Sequence, residues 1–163
     1  MTCNSPPIEL DPIGIVHSPR ETKQDDGWGD VKSSIELDST RFTPAALAGL
    51  DDFSHVEVVF VMHRVREENI EHGARHPRNN PDWPEVGIFA QRAKGRPNRI
   101  GVSRCQIRSV DELTIDVIGL DAIDGTPVVA IKPYMNEFGP NGDVTQPTWA
   151  AELMATYYDD CSH

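Results

Sequence analysis

The stretch Val-Glu-Val-Val-Phe-Val-Met at residues 56–62 restricts most what this chain can become. β-Branched and aromatic side chains crowd it, and such residues fit a pleated, extended backbone. From Val58 onward it is apolar on both faces, which predicts a central strand covered on both sides. Other short strand-like runs surround it, at residues 13–17, 31–37, 86–92, 102–110, 113–119 and 127–132, with the central run reaching residue 64. In 113–119 the alternation is clean: Leu113, Ile115 and Val117 face one way, Thr114 and Asp116 the other. Only two helix signals interrupt the strands. Thr43-Pro44 offers a cap and a first-turn proline before Ala-Ala-Leu-Ala-Gly-Leu. Thr148 opens a helix over about 148–158, where Trp149, Leu153 and Tyr157 share a face that is expected to pack on the chain's own sheet. Residues 67–85, rich in proline and asparagine, read as one long loop.

Many short strands with few helices predict a mainly β fold: a closed or nearly closed antiparallel β-barrel with short helical additions. At 163 residues, 1–163 is most simply one domain. Few helices alternate with strands, which argues against a doubly wound sheet, and Gly-Trp-Gly at 27–29 continues as Asp-Val-Lys without the third glycine of a dinucleotide site. No apolar run approaches the ~18 residues of a membrane-spanning helix, and a cytoplasmic home is the default expectation. Cys3, Cys105 and Cys161 are odd in number, far apart and in no Cys-x-x-Cys pair, so neither a disulfide framework nor a zinc ribbon is indicated.

Charge narrows the function classes. A net charge of −11 opposes generic nucleic-acid binding, since phosphate contacts need cations. The average conceals an asymmetry, however: residues 64–108 carry +5 and the remainder −16. A local basic face on an acidic body and a solvated mixed surface both fit that distribution.

Three polar constellations carry the chemistry. Gly95-Arg-Pro-Asn-Arg-Ile-Gly101 combines conformationally special residues with arginines, and Arg92, Arg96 and Arg99 are able to grip a carboxylate or phosphate through two hydrogen bonds each. A rigid turn with solvated arginines is the plainer alternative. Asp121 and Asp124 flank Ala122 and Ile123 before a Gly-Thr-Pro turn, where a carboxylate accepts from ribose hydroxyls or an amine, or simply forms an Asx turn. His63-Arg64 emerges from the central strand, placed either to line a cleft or to serve as a structural pair. A fourth pair, His72 and His76, imitates a metal site, but Gly73 and the prolines from 77 onward oppose a helix across it and no third ligand is well placed. No metal is expected.

The two ordered motifs Gly-Ile-Phe-Ala-Gln-Arg-Ala-Lys-Gly-Arg-Pro-Asn-Arg-Ile-Gly-Val-Ser (87–103) and Gly-Leu-Asp-Ala-Ile-Asp-Gly-Thr-Pro-Val-Val-Ala-Ile-Lys-Pro-Tyr (119–134) resemble the signature of the TsaA-like (TrmO) family. The segments 13–19 and 47–63 fit its N-terminal half, so the resemblance covers about residues 12–138. It implies an S-adenosylmethionine-dependent methyltransferase, built on a β-barrel and working as a homodimer, that methylates N6 of threonylcarbamoyladenosine 37 in tRNA. By the same resemblance the cofactor is held by His63 and Arg64, by Arg92, by Val102 with Arg96 and Asn98 of the preceding loop, and by Asp121, Ala122, Ile123 and Asp124. His63 is then the best-placed general base. Arg75, Arg78, Lys94 and Arg99 are left as the expected RNA contacts.

The chain departs from the family pattern at Arg99, where proline is usual, at Ala130, where aspartate is usual, and at 25–30, where Asp-Asp-Gly-Trp-Gly-Asp replaces a proline- and arginine-rich segment. These departures keep two alternatives open: an S-adenosylmethionine-binding regulatory barrel without turnover, and a methyltransferase with a small-molecule acceptor. A metal-dependent hydrolase using His72 and His76 is a third.

Overall fold

Valine and isoleucine at alternate positions turn one face of each strand inward, and the computed structural model, which describes residues 5–159, shows these faces meeting in a closed barrel. Its strands are β1 (Gly14–His17), β2 (Lys32–Leu37), β3 (His55–Val61), β6 (Ile100–Asp111), β7 (Thr114–Ile118) and β8 (Pro127–Pro133). All pair antiparallel in the order β1-β2-β7-β6-β3-β8, and β8 returns to β1 through Gly14–Val128 and Ile15–Pro127. A closed sheet leaves no barrel edge for another chain to extend. Val16, Ile35, Val56, Val58, Ile115, Leu120 and Val128 are wholly buried inside it. Each such side chain contributes about 1.5–3 kcal/mol by leaving water. Register shifts at Val59/Phe60 against β8 and at Ile107/Ser109 against β7 help the sheet bend.

β3 lies between β6 and β8, but its two faces differ. Val56, Val58 and Phe60 are buried, whereas Glu57, Val59 and Val61 on the outer face are only half-covered. Outward-facing Val59 stands between Val102 of β6 and Ala130 of β8.

Several expected elements are shorter or different. The run 86–92 is a strand only at β5 (Val86–Gly87), which pairs with β4 (Ala74–Arg75) in a separate ribbon. Residues Ile88–Ala90 then form a 3-10 turn that buries Ile88 and leaves Phe89 exposed. A buried side chain followed at once by an exposed aromatic looks like alternation in sequence, but here it comes from a turn. The 43–52 helix signal gives two 3-10 turns, Pro44–Leu47 and Leu50–Asp52, parted by Gly49 at φ 82°. That left-handed glycine stops helical propagation before a first α-turn is repaid. The loop 67–85 holds β4 and two further 3-10 turns. α1 spans Thr148–Met154 and ends before the predicted 158. Cys3 and Cys161 lie outside the described residues, as do the ends of the expected 1–163 domain; Cys105 is a buried free thiol.

Gly14 sits at the seam that closes the barrel, facing Leu37 on one side and Val128 on the other. A Cβ there would run into the Glu36 carbonyl, which is backbone and cannot swing aside. Gly14→Ala is expected to cost about 1–3 kcal/mol, a typical overpacking cost. Thermal unfolding should show a drop of roughly 3–10 °C for a domain of this size.

Candidate active site

The 95–101 loop is held in one shape by its own arginines. Asn98 (φ 65°) and Arg99 (φ 54°) are consecutive left-handed residues, a conformation that asparagine tolerates and arginine seldom adopts. Surrounding bonds impose it. Arg96 Nη1 donates to the Gln91 carbonyl at 2.8 Å and Arg99 Nη1 to the Val65 carbonyl at 2.8 Å. The Met62 amide donates to the Arg99 carbonyl at 2.8 Å, and the Glu71 amide to Gly95 at 3.0 Å. These two arginines therefore bind carbonyls of neighbouring turns, and neither forms an ion pair with a carboxylate among the described residues.

His63 and Arg64 follow directly on β3. Arg64 Nη1 donates to the Glu21 carbonyl at 2.6 Å, and Arg92 Nη2 to the Val102 carbonyl at 2.9 Å. His63 Nδ1 is buried with no partner. Burial, and then the Arg64 charge, hold the imidazole below its ordinary pKa of 6.5, so it is neutral at pH 7.

The 119–126 turn separates its two aspartates. Asp121 accepts a hydrogen bond from the Tyr157 hydroxyl on Oδ2, while its Oδ1 is buried with no partner among the described residues. Asp124 Oδ1 instead accepts the Ser18 amide at 3.0 Å, and the Asp124 amide donates to the Arg20 carbonyl at 2.8 Å. Asp124 thus ties the turn to the chain leaving β1 and faces a different groove, beside Lys32 and Arg108. The expectation that it faces the same site as Asp121 is not met.

The other expected cofactor residues meet. His63, Arg64, Arg92, Arg96, Asn98, Val102, Asp121, Ala122 and Ile123 all line one cavity of about 1110 Å3. Its opposite wall comes from residues 23–28 and 146–157. The Trp28 amide donates to the Tyr157 carbonyl at 2.8 Å, and Trp83 Nε1 to Glu152 at 2.7 Å. At Gly29 any Cβ would strike the Tyr158 carbonyl, so the two segments can approach only over glycine. The Arg20 guanidinium stacks 4.5 Å over the buried Trp28 ring. Trp149, Leu153 and Tyr157 therefore face a cleft, where packing on the sheet was expected.

Arg75, Arg78 and Lys94, the expected RNA contacts, line this same cavity. The acidic segment meets two of them. Arg78 binds both Asp26 oxygens, at 2.7 and 2.9 Å, and Lys94 reaches Asp25 at 3.1 Å. Arg99 and Ala130 are not among the lining residues. His76 Nδ1 pairs with the Trp83 carbonyl at 2.7 Å. Trp28 and Gln91 were missed by sequence reasoning. Gln91 is buried and its amide donates to the carbonyls of Arg75 and Val86, holding the ribbon that carries Arg75.

A family model described as the tRNA-methyltransferase O N-terminal domain matches residues 16–139. The chain belongs to the tRNA-methyltransferase O family. Among relatives of this family, the tRNA (adenine(37)-N6)-methyltransferase of Escherichia coli strain K12 is 35% identical over 137 residues, covering 78% of this chain and 58% of that protein. A probable S-adenosyl-L-methionine-binding protein of Methanothermobacter thermautotrophicus is 34% identical over 83% of this chain and 96% of its own length. The crystal structure of TrmO from Pseudomonas aeruginosa superposes with a TM-score of 0.72 at 25% identity, covering 91% of this chain and 64% of that one. The chain spans only 21% of the mouse tRNA (adenine(37)-N6)-methyltransferase. The C-terminal wall at 146–157 lies beyond the family match.

Both partners of the Arg78–Asp26 pair are about three-quarters covered. Arg78→Ala should lower stability by about 1–2 kcal/mol by stranding the Asp26 carboxylate. The Arg78→Ala/Asp26→Ala double variant should be no less stable than the worse single variant, as read by denaturant unfolding.

Proposed function

We propose that this chain is an S-adenosylmethionine-dependent methyltransferase that acts on N6 of threonylcarbamoyladenosine 37 in tRNA, in the cytoplasm and as a homodimer. The observation that carries the reading is the convergence of the motif residues on one cavity, large enough for a cofactor with part of an acceptor. The names of the relatives, S-adenosylmethionine-binding in one case and adenine-37 methylating in another, support it.

The residues fit the cofactor. Arg64, Arg92 and Arg96 offer cationic donors to a carboxylate. Asp121 supplies an acceptor for a hydroxyl or amine, and its Oδ1 has no partner among the described residues. Phe60, Met62, Ala122, Ile123 and Leu153 provide apolar surface for a base. S-Adenosylmethionine, when bound, supplies a methyl group on a cationic sulfur. The chain's own work is to align two reactants, and a loop already fixed by its arginines loses little further freedom in doing so. His63, neutral at pH 7 and lining the cavity, is the group that would take the acceptor nitrogen's proton.

Incubation of the purified protein with S-adenosylmethionine and tRNA containing the threonylcarbamoyl nucleoside should yield its N6-methyl derivative in nucleoside mass spectrometry. Unmodified nucleoside, with cofactor binding intact, would refute the tRNA assignment and leave a small-molecule acceptor. His63→Gln should lower kcat by about 10²–10⁴-fold. Because the His63 pKa is lowered from 6.5, the wild-type rate should stay level down to about pH 6.5 and fall only below it, and the variant's residual rate should lack that acid limb.

A further inference from the structure

Asp121 lines the cavity, as does Asp25, but Asp25 is paired with Lys94, and the two oxygens of Asp121 are treated differently. The Tyr157 hydroxyl takes Oδ2, leaving Oδ1 buried with no partner among the described residues. Tyr157 comes from the C-terminal segment, outside residues 16–139 of the family match. That segment is docked independently of Asp121. The Gly27 and Trp28 amides donate to the carbonyls of Thr156 and Tyr157 at 3.2 and 2.8 Å, Glu152 holds Trp83, and the 158 backbone presses on Gly29. With the segment in place the cavity still measures about 1110 Å3. The segment is therefore a wall of the site and does not fill it.

We propose that Tyr157 is a positioning residue for the cofactor cavity: its hydroxyl fixes the Asp121 carboxylate at the cavity wall so that this carboxylate accepts a hydrogen bond from a hydroxyl or amino group of the bound cofactor. This rests on reading the cavity as the cofactor site. Two facts carry it. A carboxylate with one anchored oxygen cannot rotate freely, so its second oxygen has a defined direction. A carboxylate on a cavity wall with no other charge-assisted partner gains a hydrogen bond when a ligand donor reaches it. Tyr157 is suited to the task because burial, and then the Asp121 charge, raise its pKa well above the ordinary phenol value. The hydroxyl therefore keeps its proton and donates throughout the working pH range. Tyr158, edge-on to Tyr157 at 5.0 Å between ring centroids, steadies the ring.

The test is a binding cycle by calorimetry with S-adenosylmethionine, using wild type, Tyr157→Phe, Asp121→Asn and the double variant, each checked for folding by circular dichroism. Tyr157→Phe keeps the ring and its packing and removes only the hydroxyl. It should weaken binding about tenfold and raise KM for the cofactor while kcat at saturation holds. In the Asp121→Asn background the same change should cost less than twofold. An unchanged affinity for Tyr157→Phe would overturn the proposal, as would an equal tenfold loss in both backgrounds. Tighter binding would overturn it too, by showing that the phenol competes with the ligand for Asp121. If Asp121→Asn binds too weakly to titrate, the KM–kcat split of Tyr157→Phe decides: a fall in kcat without a rise in KM refutes positioning of the cofactor. Failure of the wild-type chain itself to bind S-adenosylmethionine would instead refute the cofactor reading, an outcome distinct from any of these.

Discussion

Barrel closure is the constraint on which everything else in this molecule depends. A strip of six antiparallel strands becomes a barrel only because β8 turns back on β1, over the two residue pairs at Gly14 and Ile15. Closure fixes which loops share an end. The chain leaving β3 with His63 and Arg64, the loop entering β6, and the turn between β7 and β8 with Asp121 line one opening. Residues far apart in sequence become neighbours because strand direction alternates around the ring. Were the sheet open and twisted, these segments would splay and the cavity would lose its floor.

Much of the fold was legible because antiparallel strands announce themselves by period two, and the core valines and isoleucines obey it. The failures have physical causes. At 86–92 a turn reproduces strand-like alternation, since Ile88 must point inward and Phe89 outward whichever backbone carries them. At 43–52 Thr43 and Pro44 do mark a start, although the Thr43 side chain makes no capping hydrogen bond, and the left-handed Gly49 cut the helix to 3-10 turns. In α1 the apolar face of Trp149 and Leu153 was visible, yet nothing in a single face says whether it covers a sheet or a cleft.

The site was legible at the level of motifs and less so at the level of roles. Asp121 and Asp124 look equivalent in sequence. The turn gives one to the cavity and the other to the Ser18 amide, a difference set by backbone direction that no spacing rule contains. The arginines of the 95–101 loop were read as ligands for an anion, and the structure shows that both, Arg99 and Arg96, first satisfy the carbonyls of 65 and 91. Arg75, Arg78 and Lys94 were read as RNA contacts because no cofactor role competed for them in the sequence. The β4–β5 ribbon folds them onto the same cavity.

The acidic segment at 25–26 has a consequence for how ionic conditions act on this face. Cations that bind nucleic acid ordinarily displace its condensed counterions, and that release makes affinity fall steeply as salt rises, by about 0.7–0.9 in log–log slope for each phosphate neutralised. Arg78 and Lys94 already hold Asp26 and Asp25. A polyanion engaging them would exchange one anion for another, and each liberated carboxylate would gather cations from solution in turn. The net release, and with it the salt slope, would be smaller than the number of basic side chains around the opening suggests. Paired cations of this kind favour a partner whose shape fits over one that is merely anionic.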